Sequence, residues 1–152
     1  MHDQLTALVA LVFTLVVTVA GCTHTKTAEP TESIEIPVGE FVLTAIEGQP
    51  IGEAMPESAR RPTISLERGG GAAGVAGVNR YSTLVEPEFF AGGAYRFREI
   101  ATSRMAGPPE AMAFEQRFLS TLKQVRSYSI DPGVFALLDI DGRELLRFAP
   151  AE

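Results

Sequence analysis

The chain has 152 residues, 45% of them hydrophobic and 21% charged, with 13 Lys and Arg against 19 Asp and Glu. A single domain is expected at this length. The formal charge of -6 and the absence of any Lys/Arg-rich run exclude a nucleic-acid binder, which needs a basic stripe to replace phosphate counterions.

Leu5–Ala20 is apolar apart from threonines. It is shorter than the roughly 20 residues that cross a bilayer and has the length of a signal-peptide core. It ends in Val19-Ala20-Gly21-Cys22, which has the form of a lipobox. At such a site a bacterial lipoprotein is alkylated by diacylglycerol on the Cys thiol, cut before that residue and acylated on the new amine. Residues 1–21 are therefore expected to be a lipoprotein signal peptide and Cys22 its lipidation site. Cys22 is also the sole cysteine, so it has no internal disulfide partner. Met1–Thr6 contains Asp3 and no Lys or Arg, unlike the usual positive n-region; an uncleaved signal anchor with an incidental Cys is the alternative. Thr23, rather than Asp, follows the cysteine. In a host with two membranes this favours anchoring at the periplasmic face of the outer one.

Residues 23–37 are rich in Thr and Glu, with Pro30 and Pro37 and few apolar side chains. Such a stretch buries too little surface to offset its ordering entropy. Residues 22–37 are expected to be a lipidated Cys and flexible tether, and residues 38–150 the folded domain.

In that domain strand patterns come first. Glu40–Glu47 alternates, with Phe41, Leu43 and Ala45 on one face and Val42, Thr44 and Ile46 on the other. Gly48–Pro62, which carries Pro50, Gly52, Pro56 and Pro62, reads as a loop, and Thr63–Glu67 as a short strand. In Gly69–Tyr81 the glycines mark a bulge or a close approach of another element. Ala94–Ile100 alternates again, Tyr95, Phe97 and Glu99 against Arg96, Arg98 and Ile100. From Glu110 to Val125 the period changes. Ala111, Phe114, Phe118, Leu122 and Val125 fall on one helical stripe, behind Pro108 and Pro109. Strands resume at Ser127–Ile130, Val134–Ile140 and Glu144–Phe148, the last two joined through the turn signal Asp141-Gly142. Five to seven antiparallel strands with one inserted amphipathic helix predict an α+β domain, built as an antiparallel sheet or a small partly closed β-barrel.

Two segments are the most distinctive, Gly74-Val75-Ala76-Gly77-Val78-Asn79-Arg80-Tyr81 and Ile100-Ala101-Thr102-Ser103-Arg104-Met105-Ala106-Gly107. The first resembles the Gly-x-x-Gly-Cys-Asn-Arg pattern of the META domain, the family that includes the HslJ lipoproteins. The second resembles that family's Ala-Thr-Thr-Arg-Met-Ala-Cys pattern. Phe114-Glu115-Gln116, Phe118–Leu122 and Asp141–Phe148 extend the resemblance over Glu40 to Phe148. Many members of the family carry cysteines where this chain has Val78 and Gly107, which the resemblance implies to be a disulfide pair. Their joint loss here fits such a pairing, since an orphan thiol is a liability in an oxidising compartment. Phe41 stands where the family usually has Trp. The resemblance also implies an association with envelope stress or drug tolerance.

The only histidines are His2 and His24, so His-dependent nucleophilic catalysis and a His/Cys zinc site have no residues from Val38 onward. No metal and no cofactor is expected. Asp139-x-Asp141-Gly142 opens like a calcium loop, but its twelfth position is Pro150 and a hairpin turn is the simpler reading. GGGAAGVAG lacks the Gly-Lys-Ser/Thr of a phosphate loop. Glu86, Glu88 and Glu99 could supply a glycosidase pair, without an aromatic sugar platform beside them. For Asn79, Arg80, Thr102, Ser103 and Arg104 there are two readings. Asn79 and Thr102 satisfy backbone groups while the arginines pair with Glu99 or Glu115, or Asn79, Arg80, Thr102 and Arg104 form a recognition patch for a carboxylate or phosphate. The helix stripe is either core or, in a cracked-open barrel, the lining of a slot.

The expectation that follows is a lipid-anchored envelope protein without catalytic residues, a binding or stability module. Its partners would be the membrane through the N-terminal lipid, and an envelope protein or small apolar ligand; nucleic acid is not among them. The alternatives are a pilotin-like chaperone for an apolar segment of an outer-membrane protein, or a carboxylate-dependent glycan hydrolase.

Overall fold

The computed structural model describes residues 37–86 and 94–152; the signal peptide expected over residues 1–21, Cys22, the tether up to residue 36 and Glu88 lie outside them. Strand β1, Gly39–Ile46, is central. It pairs antiparallel with β10, Glu144–Pro150, placing Leu43 opposite Phe148 and Ala45 opposite Arg147. Thr44 is the extra residue between them, and its hydroxyl donates to the Arg147 carbonyl at 3.1 Å. Such a β-bulge interrupts side-chain alternation. Leu43 and Ile46 are consequently both fully buried, where strict alternation predicted opposite faces. A second register shift, between Glu144 and Leu146, similarly lets Leu145 and Leu146 both turn inward.

Part of the expected loop after β1 is ordered structure. Glu47 and Gly48 have φ of 49° and 78°, and Ile46 pairs with Gln49 across them. Positive φ at both centre positions makes a two-residue hairpin turn matched to strand twist. It leads into β2, Gln49–Pro50, and the one-turn helix α1, Ile51–Ala54. Glu47 is held at this φ beside the Arg117 guanidinium, whose Nη2 lies 2.7 Å from its carboxylate and also donates to Gln49 Oε1 at 3.0 Å.

The remaining strands are β3 (Thr63–Leu66), β4 (Gly71–Val75), β5 (Arg80–Glu86), β6 (Arg96–Phe97), β7 (Ala101–Thr102), β8 (Ser127–Asp131) and β9 (Val134–Leu138). Their order is β6-β5-β4-β3-β1-β10-β9-β8, with β2 added to β1 and β7 to β5. The count among the described residues is ten rather than five to seven: β2 and β7 are two residues each and carry no readable period, and β5, which alternates cleanly, follows the glycine-rich stretch where no regular strand is expected. The sheet is open, not a closed barrel. Its edges approach through an isolated bridge between Ala94 and Ser127 and a 2.8 Å bond from the Tyr95 N–H to the Arg126 carbonyl. Little of the strand expected over Ala94–Ile100 is regular, yet Tyr95 and Phe97 are both buried, edge to face with centroids 5.2 Å apart.

Helix α2, Pro109–Gln124, lies against this sheet. Pro109 occupies its first turn, where a missing N–H costs nothing. Ala111, Phe114, Phe118 and Leu122 point inward, and the Phe118 ring lies 5.8 Å from that of Tyr81. The stripe is therefore core, the first of its two readings, and does not line an open slot. A shallow groove of about 500 Å³ does run along α2, but it is lined by another face that includes Met112, Gln116, Leu119 and Lys123.

The glycine-rich stretch is a packing device. A Cβ on Gly74 would stand 2.0 Å from the Thr63 carbonyl oxygen and 3.1 Å from the Tyr81 ring. Tyr81 donates its hydroxyl to that same carbonyl at 3.0 Å, and burial pushes its phenol well above the ordinary tyrosine range. Phe41, on β1, is partly buried with its ring 5.1 Å from Phe135.

Candidate functional site

The two distinctive segments meet at one side chain. Asn79, 2% exposed, sits in the turn between β4 and β5. Its Oδ1 accepts from Ser103 Oγ at 2.9 Å and from the Met105 N–H at 2.7 Å. Its Nδ2 donates to the Met105 carbonyl at 3.2 Å and to Glu115 Oε1 at 2.8 Å. A primary amide has two acceptor positions and two donors, so all four are used. The amide of Asn79 thus pairs with Met105 much as one strand pairs with another.

The third component, Glu115, comes from α2. Only 5% exposed, its Oε2 accepts the N–H groups of Val78 at 2.8 Å and Asn79 at 2.5 Å. A buried carboxylate is tolerated when hydrogen bonds replace its hydration, and three donors converge on this one. The Ala76 N–H bonds to the Asn79 carbonyl at 2.8 Å and the Arg60 N–H to the Gly77 carbonyl at 2.9 Å. The Arg60 guanidinium closes the turn from outside by donating to the Val78 carbonyl.

The expected site residues are thus divided. Asn79 is committed to the interior and has no free polar position for a partner. Arg80, Thr102 and Arg104 are all exposed. Thr102 pairs with Tyr81 in the sheet. The backbone-satisfying role expected of Thr102 belongs to Ser103, whose Oγ also accepts the Arg80 N–H at 3.1 Å. The arginines do not pair with Glu115, which is spent on backbone and on Asn79. Among the described residues neither Arg80 nor Arg104 forms an ion pair. Pattern reading pairs Glu115 with an arginine rather than with Asn79 and the turn, because it lies at the margin of the apolar stripe beside Phe114 and nothing local shows which distant segment it faces.

Val78 and Gly107 are also neighbours: a Cβ on Gly107 would stand 2.8 Å from Val78 Cγ2. The two positions at which the resemblance implies a cysteine pair are therefore in contact, with the Val78 branch filling the space beside Gly107.

Of the three carboxylates considered for hydrolysis, Glu86 lies between two guanidiniums. Arg96 bonds it at 2.9 Å and Arg98 is in contact with its other oxygen. The bond from Arg96, with help from Arg98, holds its carboxyl below the usual range. A general acid needs the opposite shift. Glu99 is exposed. Asp139 forms the expected hairpin turn: its Oδ1 accepts the N–H groups of Asp141 and Arg143, both at 2.9 Å, and Arg143 Nε reaches Oδ2 at 2.9 Å. Among the described residues no cluster of His, Cys, Asp or Glu is arranged to hold a metal ion, and no helix is long and apolar enough to cross a membrane.

An open antiparallel sheet packed on one helix, pinned by a buried Asn–Glu staple, defines a small α+β scaffold. The META-domain profile matches residues 34–152, and the chain belongs to the META-domain family. The fold is similar to that of a protein from Burkholderia xenovorans solved by NMR, at 22% identity and a TM-score of 0.57, covering 74% of this chain and 81% of that one. A DUF4847-family protein from Bacteroides vulgatus is similar at 14% identity and a TM-score of 0.50, over 74% and 92% of the two chains. No curated protein matches the sequence.

Proposed function

We propose that this META-domain chain is a lipid-anchored protein of the cell envelope, held through Cys22 at the periplasmic face of the outer membrane. It acts there as a non-enzymatic binding or stability module, tied to envelope stress or drug tolerance as the family resemblance implies. The observation that carries this reading is the division of labour within the two motifs. Their buried polar groups are saturated by one another and by Glu115, while Arg80 and Arg104 are exposed and form no ion pair among the described residues. Such a scaffold presents a surface rather than a reaction centre. The absence of His and Cys after His24 and the paired state of Glu86 support the same reading.

The test is mass spectrometry of the full-length protein purified from envelope fractions in mild detergent. A chain that begins at a diacylglyceryl-modified, N-acylated Cys22 and co-sediments with outer membranes is expected. An unmodified N-terminus at Met1 would overturn the anchor, and turnover of a defined glycan abolished by Glu86→Gln would overturn the non-enzymatic role.

A further inference from the structure

Resting on that reading, we propose that the surface carrying Arg60, Arg80, Arg104 and Met105 beside the Asn79 staple binds an acidic, partly apolar peptide segment of another protein. Of the eleven arginines, six form no ion pair among the described residues; Arg68, in the turn before β4, and Arg126, beyond the C-terminal end of α2, stand away from the Asn79 staple, and Arg126 donates to the Lys123 and Val125 carbonyls. Arg96, Arg98, Arg117, Arg143 and Arg147 each contact a carboxylate. Arg60, Arg80 and Arg104 form no ion pair among the described residues, and all three leave the backbone beside the Asn79 staple. Arg60 bonds to the Gly77 and Val78 carbonyls, and Arg80 follows Asn79. Arg104 lies between Ser103 and Met105, both of which hydrogen-bond to the Asn79 amide. Arg61 adds a fourth exposed guanidinium next to Arg60.

Three features select the partner. Guanidiniums free of internal acids suit carboxylates, which they bind through paired N–H groups. Met105, next to Arg104 in the chain, supplies an apolar contact: the residue is 51% exposed although both its backbone groups are tied to Asn79, and flexible thioethers adapt to irregular apolar partners. The backbone beneath is fixed by the staple, so little ordering entropy is lost on binding. A net charge of -6 disfavours an extended polyanion or an anionic bilayer, which would meet the acidic remainder of the surface. A short segment with both carboxylate and apolar side chains meets the patch alone.

The experiment measures binding of a fluorescent peptide of alternating Glu and Leu to the full-length chain in mild detergent, at low and physiological ionic strength. The same peptide with Gln for Glu, inorganic phosphate and phosphatidylglycerol vesicles serve as comparisons. Expected are binding that weakens with salt, loss of binding with the Gln peptide, and about a tenfold weakening in R80A/R104A at an unchanged melting temperature. M105S is expected to weaken binding roughly threefold. Absence of peptide binding, or equal affinity in R80A/R104A, overturns the surface and leaves the envelope reading in place. Stronger binding to phosphate or to vesicles overturns the peptide assignment. An unlipidated Cys22 overturns the envelope reading instead, and does so without altering any peptide affinity.

Discussion

Two carboxylates in this molecule solve the same problem by opposite means. Asp139 binds the N–H groups of Asp141 and Arg143, two and four residues along its own chain. Glu115 binds the N–H groups of Val78 and Asn79, which lie 37 and 36 residues away. The first arrangement is a turn closing on itself; the second joins a turn to a helix and, through Asn79, to the segment before that helix. A local pair forms whenever its turn forms. A distant pair forms only when the sheet and helix are already in place, so it reports on the whole fold and contributes to its uniqueness.

Glu115→Ala should have the largest effect. It strips partners from two backbone donors and from Asn79 Nδ2, at an expected cost of about 3–5 kcal/mol, read as a lowered urea midpoint. If Asn79→Ala and the double variant are added, the cycle should return a coupling of about 1–3 kcal/mol; additive losses would mean that the two side chains do not act as one unit. V78C/G107C places two thiols where Val78 now fills the space. The oxidised form should gain about 3 kcal/mol over the reduced form through the constraint on its unfolded chain, measured by melting with and without reductant. Failure to oxidise would show that the two positions do not approach in solution.

A smaller effect is expected at the local turn. The N–H groups of Arg143 and Asp141, with the Arg143 guanidinium, hold the Asp139 carboxyl below its ordinary value. A depressed folded pKa adds stability that is present above the unfolded aspartate value, about 3.9, and is lost as pH falls through the lower folded one. Asp139→Asn should remove that acid-range slope from the melting temperature and change little at neutral pH. An unchanged slope in the variant would assign the acid sensitivity elsewhere. Least of all, Arg80→Ala and Arg104→Ala should leave stability within about 0.5 kcal/mol of the parent, although they border the staple. A large loss in either would place these side chains in the fold rather than on its surface.

The same contrast explains which features could be read from residues alone. The helix over Pro109–Gln124, the turn at Asp139–Gly142 and the strands Thr63–Leu66 and Ser127–Asp131 have their causes within a few residues: helical spacing, proline in the first turn, an Asx-type turn, alternation. Ile46 was misplaced relative to Leu43 because a bulge is defined by the register of two strands, and β10 is about a hundred residues further on. Arg96–Phe97 was expected as part of a longer strand because an alternating pattern does not say whether a partner strand is present along its whole length. Glu115 looked available to an arginine because nothing local marks a helical carboxylate as facing a distant turn.

By itself, then, the sequence determined the α+β class, the amphipathic helix, most strands, the membership marked by its two motifs and the lack of His and Cys in the folded part. Those depend on composition and on short-range periodicity, which each segment carries alone. Tertiary structure decided that the sheet stays open, that Thr44 and the Glu144–Leu146 step break alternation, and that the polar motif residues divide into a sealed interior and an exposed basic surface. Burial and hydrogen-bond saturation belong to pairs of segments brought together by folding, and no single segment encodes them.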